Sequence, residues 1–198
     1  MKNLFISTFI KFFFIMTPFF VLSIFLSMTK EYTKPAKTKL SILVTLTITI
    51  ICFILFLFGN YIFIIFGITL DSFRIGTGIL LFLTAINLAG NTDSYSKHNE
   101  GDEIAIVPLA IPITVGPGTI GTLLVMGGEL GTYYEKAVAF SAIFLSILCV
   151  GFILYLSGFI ERIIGKKGIS VISKLTGLII AAIAAQIVMT GIKGFLMK

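Results

Sequence analysis

The chain has 198 residues, of which 57% are hydrophobic and only 12% are charged, and its mean hydropathy is +1.09. Soluble domains do not have such a composition, and it predicts an all-helical protein that crosses a membrane several times. The formal net charge of +6 comes from Lys and Arg residues that separate long apolar runs, as juxtamembrane residues do. This distribution excludes a nucleic-acid-binding protein.

Cysteine and histidine residues give no sign of catalysis. Cys52 and Cys149 each lie alone in an apolar run, and His98, the only histidine, lies in a polar segment. Neither the spacing of metal ligands nor a nucleophile next to a base is found in the apolar parts of the sequence. The sequence therefore predicts a protein that is not an enzyme, with no metal and no cofactor.

The first half of the chain contains three predicted spans. Residues 4–28 form the first, which has no small-residue cleavage signature and is retained. Residues 40–58 form the second, which we expect to end at Gly59-Asn60 and to be followed by a short interfacial piece. Asp71 is the expected N-cap of the third span, which runs to about residue 88. A basic loop separates the first two spans and carries Lys30, Lys34, Lys37 and Lys39.

The second half begins after a polar segment, residues 91–103. Its predicted spans are residues 104–126, 137–160 and 171–192. The chain is thus expected to be a single transmembrane domain, residues 1–198, with six helices and no soluble domain.

The fourth span is interrupted by helix-breaking residues. Pro108, Pro112 and Pro117 each lack a backbone donor, and Gly116 and Gly118 flank the last of them. Unpaired backbone groups are tolerated inside a membrane only where they are buried in protein or line a cavity. The pattern predicts two half-helices that meet at a binding site, as in secondary transporters.

An internal repeat relates the two halves of the chain. A shift of 99 positions (117 − 18) aligns Pro18 with Pro117 and Thr77-Gly78 with Thr176-Gly177, without a gap. It also aligns Asn87 with Gln186. Repeat one covers about residues 1–90 and repeat two about residues 104–198. Because each half holds three spans, the halves must have opposite orientations, and the broken first spans should meet near the midplane.

The candidate substrate-binding residues follow from the breaks and from the repeat. Uncovered N–H groups at the start of a half-helix favour an anion such as an amino-acid carboxylate. The alternative is a packing kink that only lets helices approach closely. The amide side chains of Asn87 and Gln186 are expected to face the breaks as one polar cluster. The alternative is that each amide only forms hydrogen bonds between packed helices. The candidates are Thr17, Pro18, Asn87, Thr114, Gly116, Pro117, Gly118, Thr119 and Gln186.

Two further features have structural interpretations. Gly177, Ala181 and Ala185 recur every four residues and predict a tight packing seam. Arg74 follows Asp71 by three residues at a helix start, which favours a capping and anchoring role over an interfacial ion pair or a gate.

Three segments resemble the MarC family of bacterial inner-membrane proteins, whose members include small neutral amino-acid transporters. They are residues 66–83, residues 174–187 and Pro108-Leu-Ala-Ile-Pro-Ile-Thr-Val-Gly-Pro-Gly-Thr-Ile120. The resemblance covers nearly the whole chain. One segment departs from it: where the family typically has Asp-Pro-Phe-Gly-Asn-Leu-Pro, this chain has Thr17-Pro-Phe-Phe-Val-Leu-Ser23.

The resemblance implies a secondary transporter of a small neutral amino acid in the bacterial inner membrane, with the bilayer and the solute as its partners. The alternatives are an ion or metabolite exporter on the same scaffold and a membrane protein without transport activity. A coupling ion and a homo-oligomer are both compatible with the sequence. The excess of Lys and Arg in the loops after the first, third and fifth spans predicts that both termini lie outside.

Overall fold

The structure, a computed structural model, describes residues 2–89 and 114–197. Every regular element within these two ranges is an α-helix. The helices are α1 (Lys2–Ile15), α2 (Pro18–Met28), α3 (Lys34–Phe66), α4 (Leu70–Ala89), α5 (Pro117–Glu129), α6 (Tyr133–Tyr155) and α7 (Ser157–Leu196).

Five helical segments of the described chain are long and apolar enough to cross a membrane, which confirms an all-helical, multi-span protein. They are Asn3–Met28, which combines α1 and α2, Lys34–Phe58, Leu70–Ala89, Tyr133–Tyr155 and Ser157–Leu196. The predicted fourth span begins outside the described residues, and its described end is α5. Six spans therefore remain a prediction.

Two of the predicted boundaries in the first half are wrong. Helix α3 continues through Gly59-Asn60, so the expected interfacial piece forms its last turns. A glycine costs a helix only about 1 kcal/mol, whereas breaking the backbone hydrogen bonds in lipid costs more. The helix ends at Gly67, whose φ of 61° permits a left-handed cap. The N-cap of α4 is Thr69 and not Asp71, because the Ser72 N–H donates to the Thr69 hydroxyl at 3.2 Å.

The last two predicted spans are nearly continuous: α6 begins and ends about four residues earlier than predicted, and α7 is much longer than predicted. Helix α6 begins with a capping box, in which Thr132 and Glu135 satisfy each other's backbone N–H groups. Helix α7 starts directly after Leu156 and is kinked at Gly165, where φ is 70° and ψ is 163°. A non-glycine residue would be strained in this conformation, so Gly165 determines where the helix bends.

Helices α4 and α7 are antiparallel and have the most extensive contact of any helix pair in the described chain. A Cβ atom added to Gly78 would lie 3.0 Å from the Ala184 carbonyl oxygen. One added to Gly177 would lie 3.1 Å from the Ala85 carbonyl oxygen, and one added to Gly191 would lie 2.8 Å from that of Asp71. The seam predicted at Gly177 is confirmed there, but along α7 it follows a seven-residue spacing. Ala181 is only half-buried and Ala185 is exposed.

The other helices pack around a larger apolar core. Fully buried Phe12, Leu22, Phe25, Val44 and Leu123 bring α1, α2, α3 and α5 into this cluster, and residues of α6 complete it. Outside the core, large apolar side chains are exposed along the spans, among them Phe152 at 61%. Such exposure is unfavourable in water and is expected where a helix faces lipid.

Candidate functional site

The first helix break lies between α1 and α2. Thr17 has φ 50° and ψ 54°, a left-handed conformation that is rare for a β-branched residue, and it is only 4% exposed. Its N–H donates to the Phe14 carbonyl oxygen at 2.9 Å, and its carbonyl oxygen accepts from the Val21 N–H at 3.0 Å. Pro18 is the first residue of α2. The predicted interruption of the first span is therefore present.

The second break lies at the start of α5. Gly116 is extended, with φ −79° and ψ 178°, and Pro117 is the first residue of the helix. Thr114 and Thr119 on either side are 0% and 2% exposed. The Thr119 hydroxyl donates to the Thr114 carbonyl oxygen at 3.1 Å, across the turn. A proline at the first position suits a helix start, because its missing N–H would have had no intrahelical acceptor.

The first turn of α5 leaves backbone donors available at a buried position. The first intrahelical bond runs from the Ile120 N–H to the Gly116 carbonyl oxygen at 3.0 Å. The N–H groups of Gly118 and Thr119 therefore have no acceptor within the helix. Because both residues are buried, these groups and the positive end of the helix dipole could bind a carboxylate that is shielded from water.

Gly118 and Gly121 let α5 pack closely against α4. A Cβ atom on Gly118 would overlap the Leu81 side chain, and it would lie 3.3 Å from Leu81 Cγ. A Cβ atom on Gly121 would overlap the side chain of Thr77, which is 4% exposed. Thr77 did not emerge from the sequence as a contact of this helix. The spacing of three residues between Gly118 and Gly121 could have indicated a close helix contact, because residues three apart lie on the same face of a helix.

The two breaks adjoin one apolar core. Met16 immediately precedes Thr17, Val115 immediately precedes Gly116, and both residues belong to the same buried cluster. They are 0% and 1% exposed. Pro18 and Pro117, which the 99-residue shift aligns, thus start helices within the same interior.

The structure does not bring the two amides to this interior. Asn87 on α4 and Gln186 on α7 are both exposed, so the expectation that they pack against the breaks is wrong for the described structure. Each amide lies two residues beyond a buried seam residue, Ala85 or Ala184. Residues two apart are rotated by about 200° around the helix axis, so they lie on nearly opposite faces. Because the alanines face the helix contact, the amides face outward.

A partly buried charge cluster lies at the opposite end of α5, where the Glu129 side chain is 39% exposed. Arg74 donates to Asp71 at 2.7 Å and also pairs with Glu129 at the end of α5. The side chains of Arg74 and Asp71 are only 15% and 10% exposed. The ion pair, which the sequence favoured less than a capping and anchoring role, is therefore present. Glu129, a partner that the sequence did not indicate, extends it from α4 to α5. No group of three or more potential metal-ligating side chains is found among the described residues.

Comparison with known proteins identifies the family. The profile described as MarC family integral membrane protein matches residues 2–196. A UPF0056 membrane protein of Aquifex aeolicus is 36% identical, with 98% of this chain and 94% of that protein aligned. The UPF0056 membrane protein YhcE of Escherichia coli is 32% identical, with 94% and 90% aligned. No solved structure matches this chain. The chain therefore belongs to the MarC family of integral membrane proteins.

Proposed function

We propose that this protein is a secondary transporter of a small neutral amino acid that works by alternating access around the two helix breaks. The observation that carries the proposal is that two helices, α2 and α5, begin at a proline beside one buried core. Helices interrupted at membrane depth are the usual way in which transporter folds present backbone groups to a substrate.

The contacts between α4 and α7 support an inverted repeat. Gly78 approaches Ala184 and Val188, whereas Gly177 approaches Ala85 and Ala89. The 99-residue shift converts each set into the other, since 85 + 99 = 184 and 89 + 99 = 188. Exchange of contacts between equivalent elements is the signature of a two-fold axis. Opposite orientation of two halves around such an axis gives a transporter two related conformations, one open to each side.

The second break has the chemistry of a site for a small zwitterion. Residues 114–122 contain no charged side chain, so a carboxylate would be held by the N–H groups of Gly118 and Thr119. The Thr114 and Thr119 hydroxyls are buried beside those groups and would bind a polar ligand without a full countercharge. Thr17 and Pro18 would line the site from the first break.

The proposed location is the bacterial inner membrane, with both termini outside. Helices α3 and α6 are antiparallel, since Thr45 lies by Gly151 while the rings of Phe53 and Phe140 are 5.1 Å apart. The loop before α3 and the loop before α6 therefore lie at opposite ends of the helices. The loop before α3 carries Lys30, Lys34, Lys37 and Lys39, which favours the inside for that end.

Cysteine labelling tests this orientation with two exposed tyrosines, Tyr32 before α3 and Tyr133 at the start of α6. In a background without Cys52 and Cys149, we expect a membrane-impermeant maleimide to label Tyr133→Cys in intact cells. It should label Tyr32→Cys only after permeabilisation. The opposite pattern would reverse the orientation.

Uptake by proteoliposomes tests the transport activity. Labelled glycine, alanine, serine and threonine should enter vesicles that contain the protein faster than protein-free vesicles, with or without an imposed sodium or proton gradient. Labelled glutamate and lysine are the controls, because a neutral site should reject a second charge. Equal rates in both kinds of vesicle for all neutral amino acids would refute the proposal.

A further inference from the structure

An open groove lies between α1, α3 and α6 on the outer surface of the helix bundle. Its volume is about 880 Å³, which is within the range of small-molecule sites in proteins. The walls are large apolar side chains, including Phe13, Leu46 and Phe152. The last two are 54% and 61% exposed, so the groove is open along its length.

The floor of the groove offers nothing to a polar ligand. Gly151 has no side chain, so α6 approaches Thr45 of α3 closely and forms the floor there. The Thr45 hydroxyl donates to the Ser41 carbonyl oxygen at 2.7 Å, and the Ser41 hydroxyl donates to the Thr38 carbonyl oxygen at 2.8 Å. Because these hydroxyls bond within their own helix and no charged residue lines the groove, its chemistry suits a hydrocarbon chain.

One end of the groove is basic. Ser41 and Tyr155 mark this end, and the helix that carries Ser41 begins with Lys34, Lys37 and Lys39. Lys34 and Lys39 are exposed. Together with Lys30 they outnumber Glu31, the acidic residue of this loop. A tyrosine at the boundary between an apolar stretch and a basic cluster is typical of the level of the lipid headgroups.

We propose that this groove is a binding site for an anionic phospholipid of the membrane. An acyl chain lies between α1, α3 and α6, and the phosphate lies beside Lys34 and Lys39. Charge complementarity selects the ligand, because a basic cluster next to a lipid-facing groove attracts anionic headgroups over zwitterionic ones. This assignment does not depend on what the protein transports.

Native mass spectrometry of the detergent-purified protein tests the lipid class. Phosphatidylglycerol and phosphatidylcholine with identical acyl chains are added at equal concentrations, and the lipid-bound fractions are compared. We expect phosphatidylglycerol to be retained several-fold better. Equal retention of the two lipids would overturn the proposal, because the basic end would then have no effect.

Two tryptophan variants test the position of the acyl chain. Leu46→Trp fills the groove, whereas Leu57→Trp places the same ring on α3 outside it; the two leucines are 54% and 51% exposed. Both variants should fold, since neither position is in the core. We expect Leu46→Trp to lose the retained phosphatidylglycerol and Leu57→Trp to keep it. Equal phosphatidylglycerol binding by both variants would overturn the proposal.

Two double variants of equal charge test the headgroup contact. Lys34→Gln with Lys39→Gln should weaken phosphatidylglycerol binding by about fivefold per lysine and leave phosphatidylcholine unchanged. Lys166→Gln with Lys167→Gln removes the same charge from exposed positions of α7 and should have little effect. Equal losses in both double variants would mean that only the overall charge matters and would overturn the assigned site.

Discussion

The two helix breaks begin at equivalent prolines but differ in the residues around them. At the first break, Thr17 is left-handed and Pro18 is followed by Phe19 and Phe20, which pack against the apolar clusters. At the second, Gly116 is extended and Pro117 is followed by Gly118 and Thr119. The proline determines where each break lies, whereas its neighbours determine the bulk around it: two phenylalanines at the first break, and at the second a glycine that packs against Leu81, followed by a threonine. If the protein is the transporter proposed above, this comparison favours the second break as the substrate-binding site and the first as a supporting wall.

The largest effect on stability should follow from placing a large side chain at Gly118 of the second break, where the first break has Phe19. Gly118→Leu would force a side chain into Leu81, and overpacking of this kind costs about 1–3 kcal/mol. We expect a lower melting temperature in detergent and weak accumulation. Phe19→Leu, at the aligned position, should destabilise the protein less. Adding Leu81→Ala to Gly118→Leu should restore part of the stability, and an unchanged melting temperature in Gly118→Leu would contradict the packing described.

The next largest effect concerns the buried hydroxyls of α5. Thr119→Val keeps the shape of the side chain but removes the donor to the Thr114 carbonyl oxygen and a proposed ligand contact. Amino-acid uptake should fall by about tenfold, as expected for the loss of about 1.4 kcal/mol of binding.

Thr122→Val is the matched control for this prediction. It removes a hydroxyl that donates to the Gly118 carbonyl oxygen at 2.8 Å within the same helix. Uptake by this variant should fall by less than about threefold, because only one hydrogen bond within the helix is lost. If the control lost as much uptake as Thr119→Val, helix stability would explain both results.

A smaller effect is expected at the first break. Thr17→Gly relieves a left-handed conformation that costs an L-residue roughly 1–2 kcal/mol. The greater freedom of glycine in the unfolded chain offsets about 0.4–1 kcal/mol of that gain. The melting temperature should therefore rise slightly, and uptake should fall less than in Thr119→Val, because Thr17 would line the proposed site without holding the carboxylate. A clear loss of stability would show that the Thr17 side chain makes contacts that matter more than its backbone strain.

The smallest effects should come from the amides. Asn87→Leu and Gln186→Leu change exposed residues that lie on different helices, so each should alter uptake by less than about twofold. The double variant should show the sum of the two changes, since separate sites are additive. A large, non-additive loss would instead support one polar cluster that contains both amides.

The features predicted correctly are those that depend on local chemistry. Long apolar runs predict spans because lipid requires satisfied backbone, and Pro18 and Pro117 predict breaks because proline cannot continue a hydrogen-bonded helix. Gly59-Asn60 misled the prediction because α3 tolerates a glycine. The outward direction of Asn87 and the contact between Gly118 and Leu81 depend on which helix faces pack together, and this is decided by partners distant in sequence.

Counterflow is the most direct test of alternating access at the breaks. Proteoliposomes loaded with unlabelled alanine are diluted into a trace of labelled alanine, without an ion gradient. The account predicts that the label accumulates transiently above its equilibrium level, and that Thr119→Val strongly reduces this overshoot while Thr122→Val retains it. Simple equilibration without an overshoot in the wild-type protein would contradict a carrier mechanism at this site.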